Sequence, residues 1–212
     1  MSLRELAVAN DLLDQPAALR AQIEEEGYLF FRGLLPREEV LQVRRAILEC
    51  CQRADWLVAG SDPMEGRCDL TKACREGEPA YNHVYGQVLC LEVFNRLAHH
   101  FALLNVIGNV VGEPIFPHPL KIARLVFPQS PPTPAHQDFV FIQGTAQTYT
   151  AWIPLGECPI ELGGLKVNPG THRHDLYQHH LKAGPGGMGI NEDELPDNWY
   201  STNYQPGDVL IF

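Results

Sequence analysis

The residue pattern changes character near Ile115, and that change restricts the fold more than any other feature of the chain. Before it, apolar residues recur at helical spacing, as Leu12, Leu19 and Ile23 and again as Val40, Leu41, Val43, Ile47 and Leu48. Gly27 stops the first of these helices, and Pro36 followed by Glu38 and Glu39 starts the second. Between them the apolar residues 28–31 read as one short buried strand. After Ile115, short apolar runs at 120–127, 139–142, 149–155, 164–168 and 209–212 are separated by Pro, Gly and Asn. Strands at that density predict a sandwich or barrel. The expected fold is α+β and mainly β. No linker divides the two textures, so residues 1–212 are expected to form a single domain, helical with one early strand over 1–114 and β over 115–212.

Between those parts, residues 54–85 lose periodicity and read as loop with short helices. Lys72, Arg75, Asn82, His83 and Tyr85 face either solvent or a ligand pocket. Residues 88–111 return to helical spacing, as one kinked helix or two, with His99 and His100 where a helix C-terminus favours a cationic ring. His172, His174, His179 and His180 read as an ordinary exposed loop.

A net charge of −10 and a pI near 5.3 argue against nucleic acid or an anionic membrane as partner, leaving small molecules as the expected ligands. The N-terminal residues lack a signal peptide's apolar core and no run is long enough to span a membrane, so a cytoplasmic location is expected. The cysteines show no C-x-x-C spacing and are expected to be reduced.

Within the β-like part, residues 135–142 read A-H-Q-D-F-V-F-I. On a strand, the period of two would put His136 and Asp138 on one face and Gln137 on the other. Such a pair is two thirds of the 2-His-1-carboxylate arrangement that holds non-haem Fe(II). With 9 His and 26 acidic residues among 212, chance alone supplies about one His-x-Asp/Glu. The neighbouring segments therefore decide its meaning.

Four segments, in order, carry a resemblance: EEEGYLFFRGLLP at 24–36; PHPLKIAR at 117–124, ahead of Phe127-Pro128; His136-Gln137-Asp138; and AWIPL at 151–155, followed by GGLKVNPGTH at 163–172. Together they resemble the phytanoyl-CoA dioxygenase family of Fe(II)- and 2-oxoglutarate-dependent oxygenases. The resemblance implies a double-stranded β-helix, a cupin-like jelly roll with N-terminal and flanking helices. It makes His136 and Asp138 metal ligands. It also places Trp152 as an apolar wall of the 2-oxoglutarate pocket. Thr150, on the same face of the expected strand, reads either as a hydrogen-bond donor to the cosubstrate or as a packing residue. Arg124 lies opposite Lys121 and Ala123 in face parity, so at most one of the two sets points inward, and Arg124 is a candidate to line that pocket. The cosubstrates would be O₂ and 2-oxoglutarate, and the substrate a small organic metabolite to be hydroxylated.

The family carries a further histidine ligand and a 2-oxoglutarate-binding arginine after a turn and strand like 206–212. Neither follows in this chain. The expectation is a longer protein, with the C-terminal jelly-roll strands missing from these 212 residues and the 212-residue chain inactive by itself. The alternative is a non-catalytic jelly-roll binding protein or a degenerate family member.

Overall fold

In the computed structural model, which describes residues 3–143, 145 and 147–212, the first half of the chain is helical for reasons its own residues supply. A two-residue strand, β1 (Arg4–Glu5), precedes helix α1 (Pro16–Glu26). Pro16 sits in the first turn, where an amide hydrogen would have no helical partner. The helix buries Leu19 and Ile23 and ends at Gly27, as its pattern predicts. Strand β2 (Leu29–Phe31) is wholly buried. Helix α2 (Arg37–Arg53) follows Pro36, with Glu38 and Glu39 at its positive end and Arg53 at its negative end. Its inward stripe is Val40, Val43, Ile47, Cys50 and Cys51.

The aperiodic region holds two one-turn 3-10 helices, Pro63–Glu65 and Leu70–Lys72. Each is opened by an aspartate whose carboxylate accepts a backbone amide, Asp62 from Met64 and Asp69 from Thr71. Three helices then follow: α3 (Pro79–Leu89), α4 (Glu92–Leu97) and α5 (Phe101–Val111). The first reaches back into the stretch expected to be loop, because Pro79 can open it and Tyr81, Val84 and Val88 give it a buried side. His100 also departs from expectation. It caps the start of α5, its Nδ1 accepting the Ala102 amide at 3.2 Å, and so acts as a neutral acceptor at a positive helix end.

In the second half the strands are β3 (Ala151–Trp152), β4 (His180–Leu181), β5 (Met188–Gly189), β6 (Tyr200–Ser201) and β7 (Val209–Ile211). β7 is the centre of an antiparallel sheet ordered β2-β7-β3; β1 pairs parallel with β6, and β4 antiparallel with β5. The architecture is mixed α/β with small sheets rather than mainly β. The N-terminal part contributes two strands, where one was expected. Residues 120–127 and 139–142 are not strands, and 164–168 keeps only the bridge Val167 to Tyr200 among the described residues. Proline explains part of this. Pro117, Pro119, Pro128, Pro131, Pro132 and Pro134 remove ladder donors around the first two runs.

The sheet has two dissimilar faces. Leu29, Phe31, Val209 and Ile211 meet Leu19, Ile23 and Val40 and the buried side of α5, Leu103, Val106 and Val110. Phe30 and Leu210 turn the other way, onto Tyr28, Tyr204 and Leu6. A third cluster joins α2 and α3 through Trp56 and Tyr81 to Ala123 and Phe127. Each fully buried Phe or Leu contributes about 1.5–3 kcal/mol by leaving water. Among the described residues, no helix is long and apolar enough to cross a membrane, and the six cysteines are free.

The turn before β7 is locked to the end of β2. Asp208, 2 % exposed, accepts Arg32 Nη1 at 2.6 Å, the Gly33 amide at 3.0 Å and the Gln205 amide at 2.9 Å. Gly207, at φ +102°, brings its backbone so close that a Cβ would stand 2.6 Å from the Leu35 carbonyl, while the Leu35 amide donates to the Gly207 carbonyl. No other residue type fits both demands.

Candidate active site

His136 and Asp138 do come together on one side of the chain, though not on a strand. Pro134 favours extended backbone ahead of it, and Gln137 is itself extended, at φ −106° and ψ 124°. One extended residue between two side chains is enough to put both on the same side. Asp138 then opens a one-turn 3-10 helix, Asp138–Val140, its carbonyl accepting the Phe141 and Ile142 amides at 2.9 and 2.8 Å. The expected strand over 139–142 is therefore a tight turn. A four-residue apolar run has no periodicity strong enough to specify either form.

The pair is held from three directions. His136 Nδ1 lies 2.7 Å from the Pro134 carbonyl, to which it can only donate, so in the neutral ring Nε2 is a bare lone pair. That nitrogen faces Asp138 Oδ1 at 3.0 Å. Two acceptors at that separation require a cation between them, either a proton or a metal ion. Thr150 Oγ1 donates to the other carboxylate oxygen, Oδ2, at 2.5 Å. Thr150 is in turn fixed to the end of β7, exchanging both backbone hydrogen bonds with Phe212 at 2.8 and 3.1 Å.

The electrostatics follow from these contacts. The Asp138 carboxylate raises the His136 ring above its ordinary value, against a smaller opposing effect of burial. Burial is the largest single influence on Asp138 and pushes its carboxyl up. Hydrogen bonds from His136 and Thr150, with the charges of His136 and Arg124, outweigh it, so the group lies below the usual carboxylate range.

Both side chains open into a cavity of about 210 Å³. Leu120, Ile122 and Arg124 line one wall, while Ala123 and Phe127 point into the core, so residues 120–127 keep a period of two without a ladder partner. Phe141, Ile142, Pro185, Gly186 and Met188 complete the apolar lining, with Tyr85 and Glu76 from the region before and within α3. Phe141 stands edge-on to the His136 ring, centroids 5.4 Å apart. Arg124 Nη1 contacts Glu76 Oε2 at 2.7 Å.

His136, Asp138, Thr150 and Arg124 are thus brought together, with Tyr85 of the residues picked from the aperiodic region. Trp152 is not at the cavity wall. It pairs with Leu210 in the sheet and its ring packs on Tyr204, centroids 4.7 Å apart, because strand parity directs it into the cluster around Phe30. Lys72, Arg75, Asn82 and His83 do not line the cavity.

Glu76 and His179 carried no sequence signal. His179, expected in an ordinary exposed loop, closes a ring of three hydrogen bonds behind the pair. Its Nε2 accepts the Gln137 amide at 3.1 Å, its Nδ1 lies 3.0 Å from the Tyr177 carbonyl, and Gln137 Oε1 accepts the Tyr177 amide at 2.9 Å. A nonlocal contact across some forty residues leaves no local pattern to read.

The donor set suits a metal ion in part. The anionic oxygen, the imidazole Nε2 that a metal ion can take in place of a proton, and the backbone carbonyl that orients the ring are what a His/carboxylate iron site requires. Among the described residues, no group of three or more His, Cys, Asp or Glu is gathered for a metal. His136 and Asp138 are two donors.

Comparison with known proteins gives this geometry a family. The chain is 29% identical, over its whole length and 76% of the relative's, to a 1-deoxypentalenic acid 11-beta-hydroxylase of Streptomyces exfoliatus. It is 28% identical to the enzyme of the same name from Streptomyces arenae, over 98% of the chain and 75% of the relative. A probable phytanoyl-CoA dioxygenase of Caenorhabditis elegans is 21% identical over 92% of the chain and 67% of its own length. The family model described as phytanoyl-CoA dioxygenase (PhyH) matches residues 23–212, nearly the entire chain and every segment that builds the cavity, and the chain belongs to that family of oxygenases.

Proposed function

We propose that this protein is an Fe(II)- and 2-oxoglutarate-dependent dioxygenase that hydroxylates a small, largely apolar organic acid. The observation that carries the reading is Nε2 of His136 facing Asp138 Oδ1 at 3.0 Å, with Nδ1 already committed to the Pro134 carbonyl. Family members are generally of the Fe(II)/2-oxoglutarate type, and two relatives are named as hydroxylases of a carboxylic acid. The double-stranded β-helix implied by the resemblance is the fold proposed for the protein, and a third, histidine ligand is proposed to complete the metal site.

Bound iron, with 2-oxoglutarate and O₂, supplies the oxidation of an unactivated C–H bond. The protein's own residues orient and shield. His136 and Asp138 supply a neutral nitrogen and an anionic oxygen. Thr150 holds Oδ2, which leaves Oδ1 aimed inward. Arg124 offers a cation for a carboxylate of 2-oxoglutarate or of the substrate. The apolar lining from Leu120, Ile122, Phe141 and Met188 lowers the local dielectric and keeps water from the reacting bond.

The test is succinate release from 2-oxoglutarate by the full-length protein with Fe(II) and O₂, with and without candidate acids. Asp138→Ala is expected to abolish both succinate release and Fe(II) binding. Turnover retained by that variant would remove Asp138 from the metal and with it the proposal.

A further inference from the structure

We propose that Glu76 is a built-in competitor for the anionic ligand of this cavity, and that Arg124 exchanges it for the carboxylate of an incoming small organic acid. The inference rests on the reading of the cavity as the substrate chamber and adds a residue that sets its affinity and selectivity.

Arg124 is the one Lys or Arg among the described residues that line the cavity, and its Nη1 is held by a single oxygen, Glu76 Oε2, at 2.7 Å. A guanidinium presents five donors in a planar fork, and a carboxylate docked on that fork makes two parallel bonds. The Glu76 contact uses one. Both partners keep solvent access, at 33% and 45% of their side-chain surface, and exposed pairs of this kind are weak. Glu76 can therefore rotate into water at little cost when a better-placed carboxylate arrives.

The surroundings say what else that carboxylate must carry. Leu120, Ile122, Phe141 and Met188 are apolar, so beyond the Arg124 fork the cavity favours carbon over further charge. Asp138, on the same cavity, repels an anion placed anywhere but at Arg124. A carboxylate there has two possible sources, 2-oxoglutarate or the acid group of the substrate, and the chemistry of the exchange is the same for both.

Calorimetric titration of the metal-free chain with octanoate and, separately, with 2-oxoglutarate tests this without relying on turnover. At least one of the acids is expected to bind Glu76→Gln on the order of fivefold more tightly than the parent. Arg124→Gln should weaken that same binding on the order of tenfold or more while still melting cooperatively. Should Arg124→Gln fail to fold, Arg124→Lys, which keeps the charge and loses the fork, is expected to bind less tightly than the parent. The acid that gains affinity identifies the source. Binding to Glu76→Gln that is equal to the parent, weaker or absent overturns the proposal, as does binding that is indifferent to Arg124. Because no metal is present, absence of succinate release in the turnover assay would remove the oxygenase reading and leave this result standing.

Discussion

Asp138 and Asp208 are both carboxylates drawn out of water, and their partners give them different work. Asp208 is saturated by the Arg32 guanidinium and the amides of Gly33 and Gln205, so it has nothing left to offer a ligand. Asp208→Ala is expected to cost about 3 kcal/mol in a urea melt, since it strands the Gly33 and Gln205 amides and removes the charge-assisted bond to Arg32, whose guanidinium keeps Thr202 and the Asn203 carbonyl. Asp138 has one oxygen satisfied by Thr150 and one facing a lone pair. Thr150→Val keeps the shape and removes the donor, letting the Asp138 carboxyl rise and Oδ1 swing. Metal affinity of the full-length protein should fall about tenfold or more, read by Fe(II) titration with the fold unchanged by circular dichroism.

Among the described residues, the hairpin formed by β4 and β5 makes no hydrogen bond to His136 or Asp138, yet it sets where they stand. The Ile190 amide, just after β5, donates to the Ala135 carbonyl at 2.7 Å. Gly184, in the turn at φ +115°, lies so close to Pro132 that a Cβ would collide with its carbonyl. His179, just before β4, holds the Gln137 amide. The segment from Pro132 to Asp138 is therefore clamped from behind by one element. Gly184→Val is expected to destabilise by about 1–3 kcal/mol, from the forbidden φ and the lost approach. A fall in metal affinity larger than that loss of global stability explains would show the clamp acting on the ligands. Affinity unchanged in a folded Gly184→Val protein would show that it does not.

At the scale of the molecule, the two-faced β2-β7-β3 sheet joins residues nearly two hundred positions apart, and the separate cluster between α2 and α3 makes a measurable claim. Burial pushes the Cys51 thiol up to about 11 from an ordinary 9.0. An unfolded chain would lose that proton near pH 9 while the native state keeps it, so stability should fall as pH rises from about 9 toward 11, by at most about 1.4 kcal/mol per pH unit from this group. Urea melts across that range should show a shallower slope in Cys51→Ala. The residues by themselves determined the helix stripes, the stop at Gly27, the start after Pro36 and the same-side placement of His136 and Asp138, because these depend on a few adjacent backbone torsions and a local apolar period. They also set Arg124 opposite Lys121 and Ala123, since an extended segment alternates whether or not a neighbour bonds to it, but parity left open which of the two sets faces the cavity. Only the tertiary structure decided that residues 120–127 and 139–142 are not strands, that Trp152 packs on Tyr204, that His179 braces Gln137 and that Glu76 occupies Arg124. Each of those outcomes turns on which distant segment supplies a backbone partner, a packing surface or a counter-charge, and contacts across that separation leave no periodic trace in the chain that makes them.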